Sequence, residues 1–202
     1  MKTRDFIACT DFPCLDVRHD GYVIPGGRID PEVVSMLMIS EAAPAIPSDY
    51  YYAGGEAAFE RTTVEAFREA GVEAASFNEV LELGVYLTSA VKCGKTGYGI
   101  KAGTIKECSR ILEKEIALFP NIKVIMLMGD VAIKSLNTIA KRAGEARAIP
   151  SGSTYKIRGG EYFFRGIRVF PSYLQVGPSF GIEKRKRRMI AEDIKTAVSI
   201  IG

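Results

Sequence analysis

Carboxylates and aromatic side chains follow an apolar run in the first quarter of the chain. The run Met36–Ile39 ends at Ser40, and Glu41 comes next; Asp49 and three consecutive tyrosines follow in a loop that contains two prolines. A carboxylate can orient water, accept a proton or stabilise a cation, and an aromatic ring can stack on a flat ligand. Such residues where a buried strand stops predict a ligand site.

Four cysteines make a second candidate site. Cys9 and Cys14 are separated by four residues, and Cys93 and Cys108 by fourteen. Two such pairs could surround one tetrahedral metal centre, for which thiolates favour zinc or an iron–sulfur cluster. Alternatively, Cys108 lies on the apolar face of a predicted helix as a buried small hydrophobe. Neither spacing is C-x-x-C, so both alternatives stay open at this point.

Five basic residues lie together near the C-terminus, in the run IEKRKRR (182–188). The net charge of the whole chain is a mild +3 and does not by itself indicate nucleic-acid binding. The run predicts either a solvated helix face or a patch that contacts phosphates. The residues concerned are Lys184, Arg185, Lys186, Arg187 and Arg188.

Size and composition predict one globular domain over residues 1–202. The chain is 47% apolar, and no apolar run approaches the roughly 18–20 residues of a membrane span. Asp5 and Asp11 interrupt the N-terminal segment, which therefore does not resemble a secretion signal. We expect a cytoplasmic protein, in which cysteines are metal ligands, catalytic groups or core residues more often than disulfides.

The pattern of elements predicts a parallel sheet covered by helices. Continuous apolar runs at 33–40, 84–91 and 123–130 indicate strands buried on both faces. Helical patterns alternate with these strands, at 62–71 with Thr62 as the N-cap, at 104–119 and at 131–144. Ligands of such sheets bind beyond the carboxyl ends of the strands.

The last third of the chain predicts a different arrangement. Residues 155–173 indicate a hairpin with its turn at Arg158–Gly160, followed by a strand at 168–173. A final helix over 183–200 carries the basic run in its first turns, where positive charge opposes the helix dipole. The predicted buried stripe of this helix is Ile182, Met189, Ile190, Ile194 and Val198.

Six segments resemble, in order, motifs of the uracil-DNA glycosylase superfamily, and most of all its iron–sulfur-containing branch. TSAVKC (88–93) resembles that branch's T-N-V-V-K-C, and PSYLQVGPS (171–179) resembles P-T-x-H-P-S. The other segments are VSMLMISEAAP (34–44), SDYYYAGG (48–55), Cys108 in the following helix and KVIMLMGDVAIKSL (123–136).

The resemblance implies an α/β three-layer sandwich with a central, mainly parallel four-stranded sheet flanked by helices. It implies a monomeric enzyme that extrudes a uracil or another deaminated base from DNA and hydrolyses its N-glycosidic bond. Glu41 would be the catalytic acid, with Asp49 as a second candidate, and Tyr52 or Tyr51 would stack on the base. Cys9, Cys14, Cys93 and Cys108 would then ligate a 4Fe-4S cluster.

Two positions depart from the family pattern. Ser89 replaces the asparagine that reads uracil, and Leu174 or Gln175 replaces the histidine of the last motif. A hydroxyl reads a base edge less completely than a carboxamide does, whereas Gln175 can still donate a hydrogen bond to a base oxygen. The single histidine, His19, is predicted to be an exposed loop residue.

The DNA-binding surface implied by the resemblance consists of the basic run and further lysines near the strand ends. Lys92, Lys95 and Lys101 are the additional candidates. Phe180 either inserts into the duplex as an apolar wedge or lies in the core.

Three functions remain open from the sequence. The first is a glycosylase with an altered base preference. The second is a catalytically impaired homologue that binds damaged DNA, and the third is a nucleotide-binding protein on the same fold.

Overall fold

The computed structural model describes residues 2–27, 29–55, 57–97, 99–181 and 183–202. Within these residues one mixed sheet has the strand order β1-β3-β2-β4-β6-β5. The strands are β1 (Val17–Arg18), β2 (Met36–Ala43), β3 (Val85–Lys95), β4 (Val124–Met128), β5 (Tyr162–Phe164) and β6 (Ile167–Ser172). The helices are α1 (Ala58–Glu69), α2 (Phe77–Glu82), α3 (Ala102–Ile116), α4 (Asp130–Arg142), α5 (Thr154–Ile157) and α6 (Lys184–Ile201).

The four central strands are parallel to their neighbours and buried on both faces. Met36 of β2 pairs with Val85 of β3 and with Val124 of β4, and β4 pairs with β6 in the same direction. The short outer strands β1 and β5 pair antiparallel to β3 and β6. The predicted four-stranded parallel core is therefore confirmed, with a short antiparallel strand added at each edge.

Alternate residues of the central strands point to opposite faces of the sheet and contribute to two separate hydrophobic cores. The sheet and the helices on each face of it form three layers. Leu37 and Ile39 point to the side covered by α3 and α4. Met36 and Met38 point to the opposite side, covered by α1, α2 and α6. Continuous apolarity in β2 follows from burial on both sides, as the sequence indicated.

Several predicted element boundaries are wrong, and the reason is local. The hairpin turn is Arg165–Gly166 between β5 and β6, where both residues have positive φ, 51° and 82°. That conformation suits the twist of a two-residue hairpin, whereas the Arg158–Gly160 segment lies between α5 and β5. Thr62 is inside α1 and donates to the Ala58 carbonyl at 2.9 Å, so it is not the N-cap.

The last helix begins as predicted and buries the predicted stripe in part. Met189, Ile190 and Ile194 are buried against the sheet, and Val198 packs at the edge of the same core. Ile182, the first residue of the predicted stripe, lies outside the described residues. No helix in the described ranges combines the length and the apolarity needed to cross a membrane.

A buried ion pair links β3 to α3. Lys92 and Glu115 are both fully buried, with Nζ 2.5 Å from Oε2. The Lys92 ammonium also donates to Thr88 Oγ1 and to the Ser89 carbonyl, both at 2.6 Å, while Glu115 Oε1 accepts from the Tyr86 hydroxyl at 2.7 Å. Each charge therefore has a full set of partners, which is the condition for tolerating a charge in a core.

Candidate functional site

A wide cleft lies at the carboxyl ends of the parallel strands. It encloses about 910 Å³ between the loop after β2, the start of α1, the end of β3 and the loop after β6. Glu41 and Asp49 both line it. The structure thus brings the two predicted acids into one cavity at the edge where an open α/β sheet binds its ligands.

Glu41 is held from two sides. Its Oε2 is 3.2 Å from Lys95 Nζ, at the end of β3. Its Oε1 accepts from the Val131 N–H at 3.4 Å, in the first turn of α4. The Lys95 ammonium and the backbone N–H in the first turn of α4 thus fix the positions of the two carboxylate oxygens.

Gly129 allows Glu41 to approach α4. Its φ is +98°, and a Cβ at this position would lie 2.7 Å from Glu41 Oε1 and 2.8 Å from Cγ. Any larger residue would both strain the backbone and displace the carboxylate. Glu41 also lines an adjoining cavity of about 490 Å³ against α4 and α6, so it lies between two open spaces.

The three tyrosines of the loop after β2 pack inward. Tyr50 and Tyr51 are each 2% exposed, and the Tyr51 ring meets Phe59 edge-on with centroids 5.2 Å apart. The Tyr52 hydroxyl accepts from the Leu87 N–H at 3.1 Å. Burial raises the pKa of all three phenols well above the usual range. Neither Tyr51 nor Tyr52 lines the cleft, so the predicted stacking on a base is not met in this arrangement.

Ser89 and Gln175 lie beneath the same loop and are fully buried. The hydroxyls of Ser89 and Tyr50 are 3.2 Å apart, and Gln175 Nε2 donates to Thr63 Oγ1 at 3.1 Å. Both side chains lie beneath the cleft and do not line it. This arrangement differs from the prediction that they contact the base. Leu174, the other candidate for the position of the missing histidine, lines the cleft.

Two buried polar atoms in this floor lack hydrogen-bond partners among the described residues. They are the Tyr51 hydroxyl and Gln175 Oε1. Tyr51 and Gln175 were both predicted to contact the base. No feature of the sequence indicated that Thr63 would accept a hydrogen bond from the Gln175 amide.

The basic run forms the start of α6, where two of its members line the adjoining cavity, and its side chains differ in their partners. Lys184, Arg185 and Arg188 are exposed, which suits phosphate contact. Arg187 instead binds Glu65 at 2.5 Å and also Glu69 on α1. Its predicted role in DNA binding therefore competes with its role in joining α6 to α1. Lys186 lines the adjoining cavity and pairs with Glu183 at 2.6 Å.

Two other candidates for DNA contact are placed in the core. Phe180 is 3% exposed. The Arg187 guanidinium lies over the Phe180 ring, with Cζ 4.8 Å from the ring centroid. Of the two alternatives for Phe180, the structure supports the core position. Lys92 is fully buried against Glu115, so it does not contact DNA.

All four cysteines line one cavity of about 290 Å³. They come from the N-terminal loop (Cys9 and Cys14), the end of β3 (Cys93) and α3 (Cys108), and all are free thiols. Within the described ranges no three His, Cys, Asp or Glu side chains are close enough to bind one metal ion. Four separated thiols around a shared cavity fit the donor set of an iron–sulfur cluster better than that of a single zinc ion.

The surroundings of the cysteines in this cavity disfavour the charged thiolate form of Cys93 and Cys108. Burial and the neighbouring thiols raise the pKa of Cys93 to about 12, and burial also raises that of Cys108. A cation shared by the thiolates would relieve this repulsion. His19 is half-buried in the same cavity, with Nδ1 3.5 Å from Cys93 Sγ, so its predicted exposed position is wrong. Its distance from Cys93 in sequence hid the contact.

Two comparisons with known proteins show what this chain is similar to. Residues 37–189 match the model of a family described as the uracil DNA glycosylase superfamily. The chain is also 26% identical over 119 residues to a Type-5 uracil-DNA glycosylase of Thermus thermophilus. That match covers 59% of this chain and 52% of the relative, so this chain spans about half of the relative's length. The family match includes Glu41, Gly129 and Phe180 and begins after Cys9 and Cys14.

Proposed function

Because the chain belongs to the uracil DNA glycosylase superfamily, we propose that it hydrolyses the N-glycosidic bond of a damaged base held in the cleft. The observation that carries the proposal is the position of Glu41. It lies at the carboxyl edge of the sheet, fixed by Lys95 and by the first turn of α4. A carboxylate held in this way can stabilise positive charge that develops on a bound sugar.

The chemistry of the bond requires charge stabilisation more than covalent help. As the bond breaks, the sugar becomes cation-like and the base leaves with negative charge. The Glu41 carboxylate would stabilise the sugar cation and orient the attacking water, as preorganised charges do in other enzymes. Asp49, in the same cleft, is the second candidate for holding that water.

We place the base against the apolar wall of the cleft. Phe59, Leu174 and Val176 line this wall, and an apolar surface with an aromatic edge suits a flat heterocycle. A base contact by Tyr51, Tyr52, Ser89 or Gln175 would require the loop after β2 to move away from the floor. Leu174 offers no charge to the departing base, which favours substrates whose bases leave readily.

The DNA would run along the strand-end edge past the start of α6. Lys184, Arg185 and Arg188 are exposed there and would contact phosphates, with Lys186 beside the cavity that Glu41 lines. Phosphate contacts of this kind supply affinity without sequence preference. A monomer in the cytoplasm remains the expected setting.

The four cysteines would hold a 4Fe-4S cluster as a structural group. Cys9, Cys14, Cys93 and Cys108 are the ligands that the shared cavity supplies. When bound, the cluster would cross-link the N-terminal loop to β3 and α3. No step of the reaction is assigned to it.

Base release from DNA tests the proposal. Duplex and single-stranded oligonucleotides carrying uracil, hypoxanthine or xanthine are incubated with the protein, and free base is measured under single turnover. Glu41→Gln should reduce release at least about 100-fold, the scale of a lost catalytic group. Glu73→Gln, at an exposed position outside the cleft, is the matched control.

Two other results would change the conclusion. Salt-sensitive DNA binding without release of any base would support a protein that recognises damage without cutting it, which the buried Ser89 and Gln175 favour as the second candidate. No DNA binding even at low salt would exclude both functions and leave free nucleotides as the ligand class to examine.

A further inference from the structure

We propose that the adjoining cavity, the space of about 490 Å³ that Glu41 lines with residues of α4 and α6, binds an unpaired base next to the target nucleotide. Tyr173 in this cavity and Tyr155 beside it would supply the stacking surfaces. The inference rests on the proposed function because it takes the target sugar to lie at Glu41. It adds a second base site and makes unpaired DNA the substrate class.

The adjoining cavity and the wide cleft share a wall. Glu41, Leu174 and Phe180 line both of them. If the cleft holds the target base, a neighbouring nucleotide of the same strand can reach the adjoining cavity from the same point. The volume of that cavity lies within the range of about 300–1,000 Å³ that small-molecule sites enclose.

The lining of the adjoining cavity suits a base better than a phosphate. Each charged side chain that lines it among the described residues has an ion-pair partner. The pairs are Asp130 with Lys134, Glu183 with Lys186, Glu41 with Lys95, and Arg187 with Glu65 and Glu69. The remaining lining includes Tyr173 and the apolar Leu174, Phe180 and Ile190. A flat, neutral group fits such surroundings without leaving a charge unpaired.

Tyr173 provides the stacking surface inside the cavity. It follows β6 directly, is half-buried and packs at the edge of the core that contains Met38. The Lys186 ammonium lies over its ring, with Nζ 5.5 Å from the ring centroid. These contacts to the core and to α6 hold the ring in one orientation, which a stacking site requires.

Tyr155 extends the stacking surface beyond the cavity. Its neighbour Thr154 lines the cavity, while Tyr155 itself is 58% exposed. Arg185 Cζ lies 5.3 Å from the Tyr155 ring centroid, and Arg185 Nη2 donates to the Tyr155 hydroxyl at 3.4 Å. Two successive residues of α6, Arg185 and Lys186, thus hold the two tyrosines. Unpaired bases stack on aromatic rings and on guanidinium planes alike.

A base has to be unpaired to reach Tyr173. In a duplex the neighbouring base is stacked and bonded to the opposite strand, and moving it into a cavity costs free energy. That cost is least for a base that is already single-stranded. We therefore expect this site to favour single-stranded over duplex DNA.

Binding of single strands that lack one flanking base tests the inference without any base release. Each strand carries a tetrahydrofuran abasic analogue at the target position and a second one on its 5′ or its 3′ side. The second analogue keeps every phosphate and removes one base, and fluorescence anisotropy measures the affinity. We expect removal of the base on one of the two sides to weaken binding by the unaltered protein at least about fivefold.

Tyr173→Leu keeps an apolar side chain at the edge of the core and removes the ring. It should weaken binding of the strand with both flanking bases at least about fivefold. Removing the flanking base should then change the affinity less than about twofold, because the surface on which that base stacks is already gone. Tyr162→Leu, at a half-buried tyrosine of β5, is the control and should respond as the unaltered protein does.

Tyr155→Ala tests the same surface at a position outside the core. It should weaken binding of the single strand at least about fivefold and binding of a duplex less than about twofold. Phe163→Ala is the matched control, because Phe163 is 57% exposed and has Arg168 Cζ 5.6 Å from its ring centroid. It should bind both DNAs as the unaltered protein does. Circular dichroism checks the fold of each variant, and Tyr155→Ala decides the question if Tyr173→Leu does not fold.

Three results would overturn the inference. The first is equal affinity of the unaltered protein for strands with and without each flanking base. The second is a full effect of base removal in folded Tyr173→Leu. The third is a loss of affinity that is equal in Tyr155→Ala and Phe163→Ala, or absent from both. All three leave the hydrolase proposal standing, since base release with Glu41→Gln tests it separately. Failure to bind any of these strands at low salt would overturn both proposals together.

Discussion

At the scale of single residues, the site depends on one carboxylate and the groups that hold it. Glu41 contacts Lys95 through Oε2 and the Val131 N–H through Oε1. These partners lie 54 and 90 positions away along the chain. A local motif can indicate the acid, but the partners that orient it come from other strands and helices.

Gly129→Ala tests how closely Glu41 must approach α4. The new Cβ would collide with the Glu41 carboxylate at 2.7 Å and would strain a backbone with φ of +98°. We expect a stability loss of about 1–3 kcal/mol from the strained backbone, together with a large fall in base release. Thermal unfolding and single-turnover release are the two measurements.

Gly144→Ala is the matched control for that substitution. Its φ is also positive, +73°, but nothing lies within 4 Å of the added Cβ. It should lose a similar amount of stability and keep its activity. Equal loss of activity in the two variants would show that strain, and not the position of Glu41, explains the effect.

At the scale of elements, helix α6 combines two roles in one basic run. Arg187 faces α1 and pairs with Glu65 and Glu69, while Arg188 is 84% exposed and pairs with Glu192 on its own helix. In the sequence the run is five consecutive basic residues. In the structure these residues lie on different sides of the helix and have different partners.

Arg188→Ala should weaken DNA binding at all sequences and lower the salt dependence. One lost phosphate contact reduces the slope of log K against log salt by about 0.9. Lys195→Ala, farther along the same helix, is the control and should leave the slope unchanged. A slope that falls equally in both variants would show a general charge effect in place of a contact at the start of α6.

The cysteine cavity joins the N-terminal loop, β3 and α3. We expect protein purified without oxygen to be brown, with visible absorbance and about four iron atoms per chain, as a cluster on four thiolates implies. Cys93→Ala removes the candidate ligand that β3 supplies and should abolish both the absorbance and the iron.

A fold check accompanies the cysteine substitution. Circular dichroism should show that the Cys93→Ala chain is still folded, so that iron loss is not a result of unfolding. Anaerobic protein that is colourless and free of iron, yet folded, would contradict the cluster and leave the cysteines as core residues.

At the scale of the whole molecule, the buried Lys92–Glu115 pair ties the sheet to one helical layer. Both side chains are fully buried, and the network continues through Thr88 and Tyr86. Glu115 is the charged residue that interrupts the apolar side of α3, and Lys92 supplies its charge partner.

Lys92→Met should destabilise the fold by about 3–5 kcal/mol, because it leaves the Glu115 carboxylate buried without its countercharge. Denaturant unfolding of the metal-free chain measures the change. The double variant Lys92→Met with Glu115→Leu should recover most of the loss, since apolar replacement of a whole buried pair is often close to neutral. A single variant as stable as the double one would contradict this account.

The sequence by itself determined the layers of the molecule and the general place of its site. Runs without polar alternation at 33–40, 84–91 and 123–130 required burial on both faces, and their exits placed Glu41 and Asp49 at one edge. The motif order identified the family that residues 37–189 match. These features are local or follow chain order, so periodicity predicts the layers and the resemblance of the motifs predicts the family.

The tertiary structure alone decided which side chains face the cleft. Tyr51, Ser89 and Gln175 point to the floor, while Lys95 reaches Glu41 from another strand. His19 turns toward Cys93. The direction of a side chain in an irregular loop depends on packing against residues distant in sequence, and no local pattern records that packing. For the same physical reason, the partner that holds the candidate catalytic acid becomes visible only when the strands are assembled.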